Sequence, residues 1–138
     1  MRRFLTISVT LLILAAFAVL FVVPALAKHH YGEPSSALSG KNRYSYAAKI
    51  LWHDPTIRRV ADPYGTEKNF TLEQDESPYQ LAARLEAEGL ILDAEAFLTL
   101  LIYTGMDTSL LPGNYKLGPS LSMQSIAGML QDSRASQI

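Results

Sequence analysis

The stretch Ser77-Pro-Tyr-Gln-Leu-Ala-Ala-Arg-Leu-Glu-Ala-Glu-Gly-Leu-Ile91 decides how this chain is read. Ser77 is a good N-cap, and Pro78 suits the first helical position because its missing N–H would be unpaired there anyway. Leu81, Ala82 and Leu85 recur at helical spacing and predict the inward stripe, with Arg84, Glu86 and Glu88 facing water. Gly89 stops the helix, and Leu90, Ile91 and Leu92 carry the chain across a core.

Working outward, Lys68-Asn-Phe-Thr-Leu-Glu73 alternates, with Phe70 and Leu72 on one face, and predicts a short half-buried strand. Gln74-Asp75-Glu76 turns the chain into the helix. Beyond Ile91, Asp93 caps a second helix whose apolar face is Ala94, Phe97, Leu98, Leu101 and Ile102, closed by Gly105. Asp107 to Pro112 reads as a loop. Gly113-Asn-Tyr-Lys-Leu117 predicts a second strand with Tyr115 and Leu117 on one side, and Gly118-Pro119 breaks it. Ser122 caps a third helix carrying Ile126, Ala127 and Leu130. The order is strand, helix, helix, strand, helix. Two strands flanking a helix pair most simply lie side by side, which predicts a small α+β module over 68–138 with a two-stranded sheet.

The other end of the chain has a different character. Met1-Arg2-Arg3 precedes an uncharged run from Phe4 to Val23, about 20 residues and roughly 30 Å as a helix. Being apolar on every face, it does not suit a soluble core helix. Two readings stand for residues 1–27. One is a transmembrane anchor with the short N-terminus inside. The other is a secretory signal cut at Ala25-Leu26-Ala27, though the apolar run is longer than the usual 7–15 residues of a signal. Either exports the rest of the chain, leaving a single-pass protein of the plasma membrane or a secreted one.

Residues 28–67 read as a linker. Gly32 to Gly40, rich in Gly, Pro and Ser, is expected to be flexible or extended. Tyr44, Ala47, Ala48, Leu51 and Trp52 predict a short juxtamembrane helix, lying at the interface or packed on the module. Asp54-Pro55 is expected to end it. Asp62-Pro-Tyr-Gly65 predicts a turn. His29, His30 and His53 lack partners at ligand spacing, so no metal or other cofactor is expected.

Charge narrows the function. From Phe70 onward three Lys/Arg stand against nine Asp/Glu, so the module is acidic, and the second helix carries no basic side chain. Nucleic acid is therefore not an expected partner. The chain has no cysteine, which removes thiolate chemistry and disulfide support. No nucleophile–His pair or phosphate loop appears. The carboxylates near loops (Glu73, Asp75, Glu76 and Asp107) and those on helix surfaces or caps (Glu86, Glu88, Asp93 and Glu95) read as solvated.

The ordered set Phe70, Ser77, Leu81, Ala82, Leu85, Gly89, Leu90, Ile91, Phe97, Leu111, Gly113, Tyr115, Leu117, Ile126 and Leu130 resembles the LysM-like N-terminal domain of the endolytic murein transglycosylases, the MltG (YceG-like) family. The resemblance covers about half the chain. It implies a LysM-like β-α-α-β-α module behind a membrane anchor, positioned at nascent peptidoglycan, in a family whose lyase activity cuts glycan strands. The family's catalytic glutamate lies in a further C-terminal domain, and no segment like it occurs here, so no catalytic residue is carried over. The chain would be a non-catalytic wall module, the N-terminal fragment of a complete transglycosylase, or a docking module for cell-wall synthesis proteins. The implied glycan groove lies between Gln74–Pro78 and Leu110–Asn114, with Gln74, Asp75, Glu76, Tyr79, Leu110 and Asn114 as candidate contacts and Tyr115 as a second nearby aromatic. Where the family has a glycine in the turn after the first strand, this chain has Asp75-Glu76.

Overall fold

The computed structural model describes residues 1–136. Helix α1 (Arg2–Phe17) runs through a π-helical turn at Ala18–Val22 into α2 (Val23–Tyr31), giving a helix 30 residues long in all. It is long and apolar enough to cross a membrane. Its two threonines turn back onto the helix, Thr6 Oγ1 donating to the Arg2 carbonyl at 2.7 Å and Thr10 Oγ1 to that of Thr6 at 2.8 Å. The π turn has a local cause. Pro24 has no N–H to give the carbonyl one turn earlier, and the turn before it widens.

The module is α+β. Strand β1 (Lys68–Leu72) pairs antiparallel with β2 (Gly113–Leu117), Phe70 opposite Tyr115 and Leu72 opposite Gly113. Phe70, Leu72, Tyr115 and Leu117 are buried, as their alternation predicts. Between the strands lie α4 (Pro78–Ala87) and α5 (Ala94–Thr104), and α6 (Met123–Met129) follows β2.

The helix ends are built as the sequence predicts. Ser77 Oγ accepts from Gln80 N–H at 3.2 Å, and Gln80 Oε1 accepts in return from Ser77 N–H at 3.0 Å, a reciprocal capping box. At the other end Gly89 sits at φ +73°, and Leu90 N–H donates to the Leu85 carbonyl at 2.9 Å, which closes α4 in a Schellman arrangement. Lys68 Nζ donates to the Glu88 carbonyl, placing a cation where the helix dipole is negative. Asp93 Oδ1 caps α5, accepting from Glu95 N–H at 2.8 Å, and Ser122 Oγ caps α6, accepting from Ser125 N–H at 3.1 Å.

Several details differ from expectation, and Leu92, expected with Leu90 and Ile91 in the core, is exposed. Helix α3 (Lys41–Ile57) runs seventeen residues and continues through Pro55. Asp54, the residue that proline should push out of helical geometry, is held by its side chain, accepting from Tyr31 Oη and, at 2.9 Å, from Arg58 Nε. The buried face of α3 is Ala47, Ile50 and Ile57, whereas Tyr44, Ala48 and Trp52 from the expected stripe are exposed, Trp52 by 83%. Helix α5 is not amphipathic. Ala96, Phe97, Thr99, Leu100, Leu101 and Tyr103 are all buried, because α4 lies against one side and α3 against another. Ala94, Leu98 and Ile102, expected on the core face, are only half-buried. Finally, Arg84 and Glu86 do not simply face water: Glu86 Oε2 accepts from the Ala94 N–H at 2.6 Å, and Arg84 belongs to the site described below.

Helix α3 ties the apolar helix to the module. It packs on both α2 and α5, and its buried residues join one core with Ala27 and the module's side chains. Pro24 and Ala25 share a cleft with Arg43 and Ala47, while Tyr31 meets Asp54, so α2 and α3 run side by side in the same direction. The segment Gly32–Gly40, expected to be flexible or extended, is fastened to the end of α5. Ser35 N–H donates to the Tyr103 carbonyl at 2.6 Å, and Tyr103 Oη donates to the Gly32 carbonyl at 3.1 Å. The predicted turn at Asp62–Gly65 forms, with Gly65 N–H donating to the Asp62 carbonyl at 3.2 Å.

Candidate functional site

Because Leu72 lies opposite Gly113, the turn after β1 and the loop before β2 emerge from the same end of the sheet. The register thus brings Gln74, Asp75 and Glu76 to the same end as Leu110 and Asn114. Thr71 Oγ1 donates to Asn114 Oδ1 at 2.6 Å, linking the two strands at this end. Asn114 is exposed and Leu110 half-buried. An open concavity of about 510 Å³ lies on the β1–α4 side of this end, lined by Glu73, Asp75, Glu76, Gln80, Ala83 and Arg84; Gln74, Leu110 and Asn114 do not line it.

The floor of this concavity is a fixed construction. Arg84 Nη1 donates to both Glu76 carboxylate oxygens, at 2.8 and 2.9 Å, and Nη2 donates to the Thr71 carbonyl at 2.8 Å. Glu76 Oε2 also accepts from Glu73 N–H at 3.2 Å. The Glu76 side chain is only 6% exposed, so its carboxylate serves the turn. Arg84 caps the Phe70 ring, with its guanidinium carbon 4.4 Å from the centroid. What this end offers to a ligand is therefore the exposed pair Gln74 and Asp75, the amide of Asn114 and the outer edge of Arg84.

Tyr79 sits apart from this group. It is 67% exposed in the first turn of α4 and lines a different depression, with Ala82, Ala94, Glu95 and Leu98. Tyr115, the other nearby aromatic, is buried, and its hydroxyl donates to the Leu111 carbonyl. Burial pushes its phenol above the ordinary range, and the charge of Asp132 adds to the shift. The concavity accordingly has polar and charged walls and no aromatic platform. Arg84 is the participant that periodicity alone misses, since the i+8 spacing from Glu76 carries no local signature.

The histidines are placed at the other end of the chain's fold. His30 Nδ1 accepts from Arg58 Nη2 at 3.0 Å, and the His30 and His29 rings meet edge to face. Among the described residues, no three His, Asp or Glu side chains gather at metal-binding range. A second cleft, of about 210 Å³, lies between α2 and α3 and is lined by Pro24, Ala25, Lys28, Glu33, Pro34, Arg43, Ala47 and Tyr103. Burial raises the Tyr103 phenol above its ordinary range. Glu33 pushes in the same direction and Arg43 opposes it.

No protein-family model, curated protein or solved structure matches this chain.

Proposed function

We propose that the chain is a membrane-anchored extracytoplasmic module of LysM-like order, positioned at nascent peptidoglycan. In this reading it is akin to the non-catalytic N-terminal part of an endolytic transglycosylase. The observation that carries the reading is the end of the sheet, where the turn after β1 and the loop before β2 converge beside an open concavity bordered by charged side chains. A glycan strand is rich in hydroxyls and amides, which suits Gln74, Asp75 and Asn114 as hydrogen-bonding partners. Without an aromatic platform, binding to a single sugar is expected to be shallow, and retention would come from many contacts along a strand.

The apolar helix supports the anchored form. Ala25-Leu26-Ala27 lies inside continuous helix, and Ala27 is fully buried against the rest of the fold, so in the uncleaved chain this segment is part of the core. In this reading Arg2 and Arg3 mark the inner side, and the module faces the extracytoplasmic side.

The test is retention of the full chain, in mild detergent, on purified sacculi. Retention is expected to exceed that of an unrelated acidic membrane protein and to fall when Gln74, Asp75 and Asn114 are replaced together by alanine. Retention no greater than the control would overturn the reading.

A further inference from the structure

The second cleft shares no lining residue with the concavity at the end of the sheet. One wall is the end of the apolar helix, Pro24 and Ala25. The other is the start of α3, Arg43 and Ala47. Pro24 and Ala25 lie in the last turn of an uncharged stretch that ends at Lys28, so this cleft opens near the end of the apolar part of the helix. If α1 spans a bilayer, that level is the headgroup layer. Because α2 and α3 run in the same direction, the loop Gly32–Gly40 returns the chain to this level, and α3 begins there with Lys41, Arg43 and the exposed Tyr44. Tyrosine at this depth is the usual interfacial residue.

The charges in the cleft are unequal. Lys28 Nζ pairs with Glu33. Arg43 has no carboxylate within ion-pair range among the described residues. Its guanidinium is left as the uncompensated cation beside an apolar wall. A guanidinium matches a phosphate diester with two parallel hydrogen bonds, and Pro24 and Ala25 would lie along the first carbons of an acyl chain.

We infer that this cleft is a site for the headgroup of an anionic phospholipid, its phosphate on Arg43 and its glycerol end against Pro24 and Ala25. Glu33 holds Lys28 back from the same phosphate and sets the affinity. This inference rests on the reading of α1 as a membrane span.

The experiment is native mass spectrometry of the full chain released from phosphatidylcholine nanodiscs containing a minority of phosphatidylglycerol. The wild-type chain is expected to carry one retained phosphatidylglycerol. Arg43→Gln should reduce that occupancy about fivefold, the weight of one basic side chain at an anionic surface. Lys41→Gln removes the same charge at the same level without lining the cleft, and should leave occupancy within about twofold, as a screened surface charge would. Ala25→Leu fills the apolar wall without changing charge and should also release the lipid, whereas Glu33→Gln should increase retention. Equal losses for Arg43→Gln and Lys41→Gln, or retention unaffected by Ala25→Leu, would overturn the site while leaving the anchor intact. A chain stripped from membranes by alkaline carbonate would overturn the anchor and the site together.

Discussion

The guanidinium of Arg84 lies over the ring of Phe70 while both oxygens of the nearly buried Glu76 accept from it. One side chain on α4 therefore fastens the strand before the turn and the turn itself. Replacing Arg84 by alanine leaves the Glu76 carboxylate without its partner. Since Arg84 is partly exposed, the cost should lie well below that of a buried pair, at about 1–2 kcal/mol. Urea unfolding in mild detergent measures it. Arg84→Ala combined with Glu76→Gln should cost less than the sum of the two single changes. Strict additivity would show that the pair contributes nothing.

The capping box of α4 gives a second expectation. Ser77→Ala removes the acceptor for Gln80 N–H and should destabilise the module by about 1 kcal/mol. Gln80→Ala loses only the return bond to Ser77 N–H and should cost less. In the core beneath, Leu85→Ala should cost roughly 2–5 kcal/mol, enough to threaten a module of this size. If Leu85→Ala proved as mild as Ser77→Ala, the packing described here would be wrong.

Tyr115 predicts the alkaline behaviour. Its phenol is raised in the folded state, chiefly by burial, so folding favours the protonated form. The stability it contributes is complete below the unfolded tyrosine value, about 10, and is lost as pH rises from there through the folded value. Unfolding midpoints followed from pH 8 to pH 11 should therefore decline, with a shallower decline in Tyr115→Phe. Some decline should persist in that variant, because Tyr103 is raised in the same way. Parallel declines in both proteins would contradict the assignment.

A methyl group at Gly65 would collide with Pro119 Cγ, on a ring with little freedom to move. The Asp62–Gly65 turn is held to the end of β2 by Asp62 N–H donating to the Pro119 carbonyl at 2.9 Å. Gly65→Ala should push the two apart and cost about 1–3 kcal/mol, the range for overpacking. Hydrogen exchange at the Asp62 amide should accelerate in the same variant. An unchanged rate there would show that the turn is not held by Pro119.

The joint between α2 and α3 can be opened separately. Asp54→Ala removes the acceptor shared by Tyr31 Oη and Arg58 Nε. Amides of α3 near Ile57 should then exchange about tenfold faster, equivalent to a loss of about 1.4 kcal/mol. Protection equal to the wild type would mean that apolar packing alone holds the joint.

Local grammar was legible in the sequence wherever one residue settles the geometry. Ser77, Asp93 and Ser122 mark helix starts, Gly89 and Gly105 mark stops, and the alternation through Phe70 and Tyr115 selects the buried faces of the strands. The convergence of the two loops is expected only from the family resemblance, and the antiparallel pairing of β1 with β2 is what brings them to one end. What stayed hidden depends on partners distant in sequence. Pro55 argues for a helix end until Tyr31 and Arg58 are found on Asp54. The stripe of α3 reads as running through Trp52 because its amphipathy is slight, and only packing against α2 and α5 shows that Ile50 and Ile57 face inward. Helix α5 did carry a sign of burial on several sides, since Glu95 is its one charged residue. Arg84 and Glu86 looked like surface charges because charged side chains usually are, and their partners lie eight residues away.

The side-by-side course of α2 and α3 has a mechanical consequence. A module on a loose tether tumbles independently and meets its target by sampling a hemisphere of orientations. Here the helix that enters the fold is clasped along its last two turns by α3, which is itself packed on α5. In a chain anchored through α1, the loops at the end of the sheet would keep one bearing relative to the helix axis. Spinning or tilting the helix in the bilayer would swing that end as a single lever. The encounter then becomes a search in the plane of the membrane, and any factor that changes helix tilt, bilayer thickness included, would change where the concavity points.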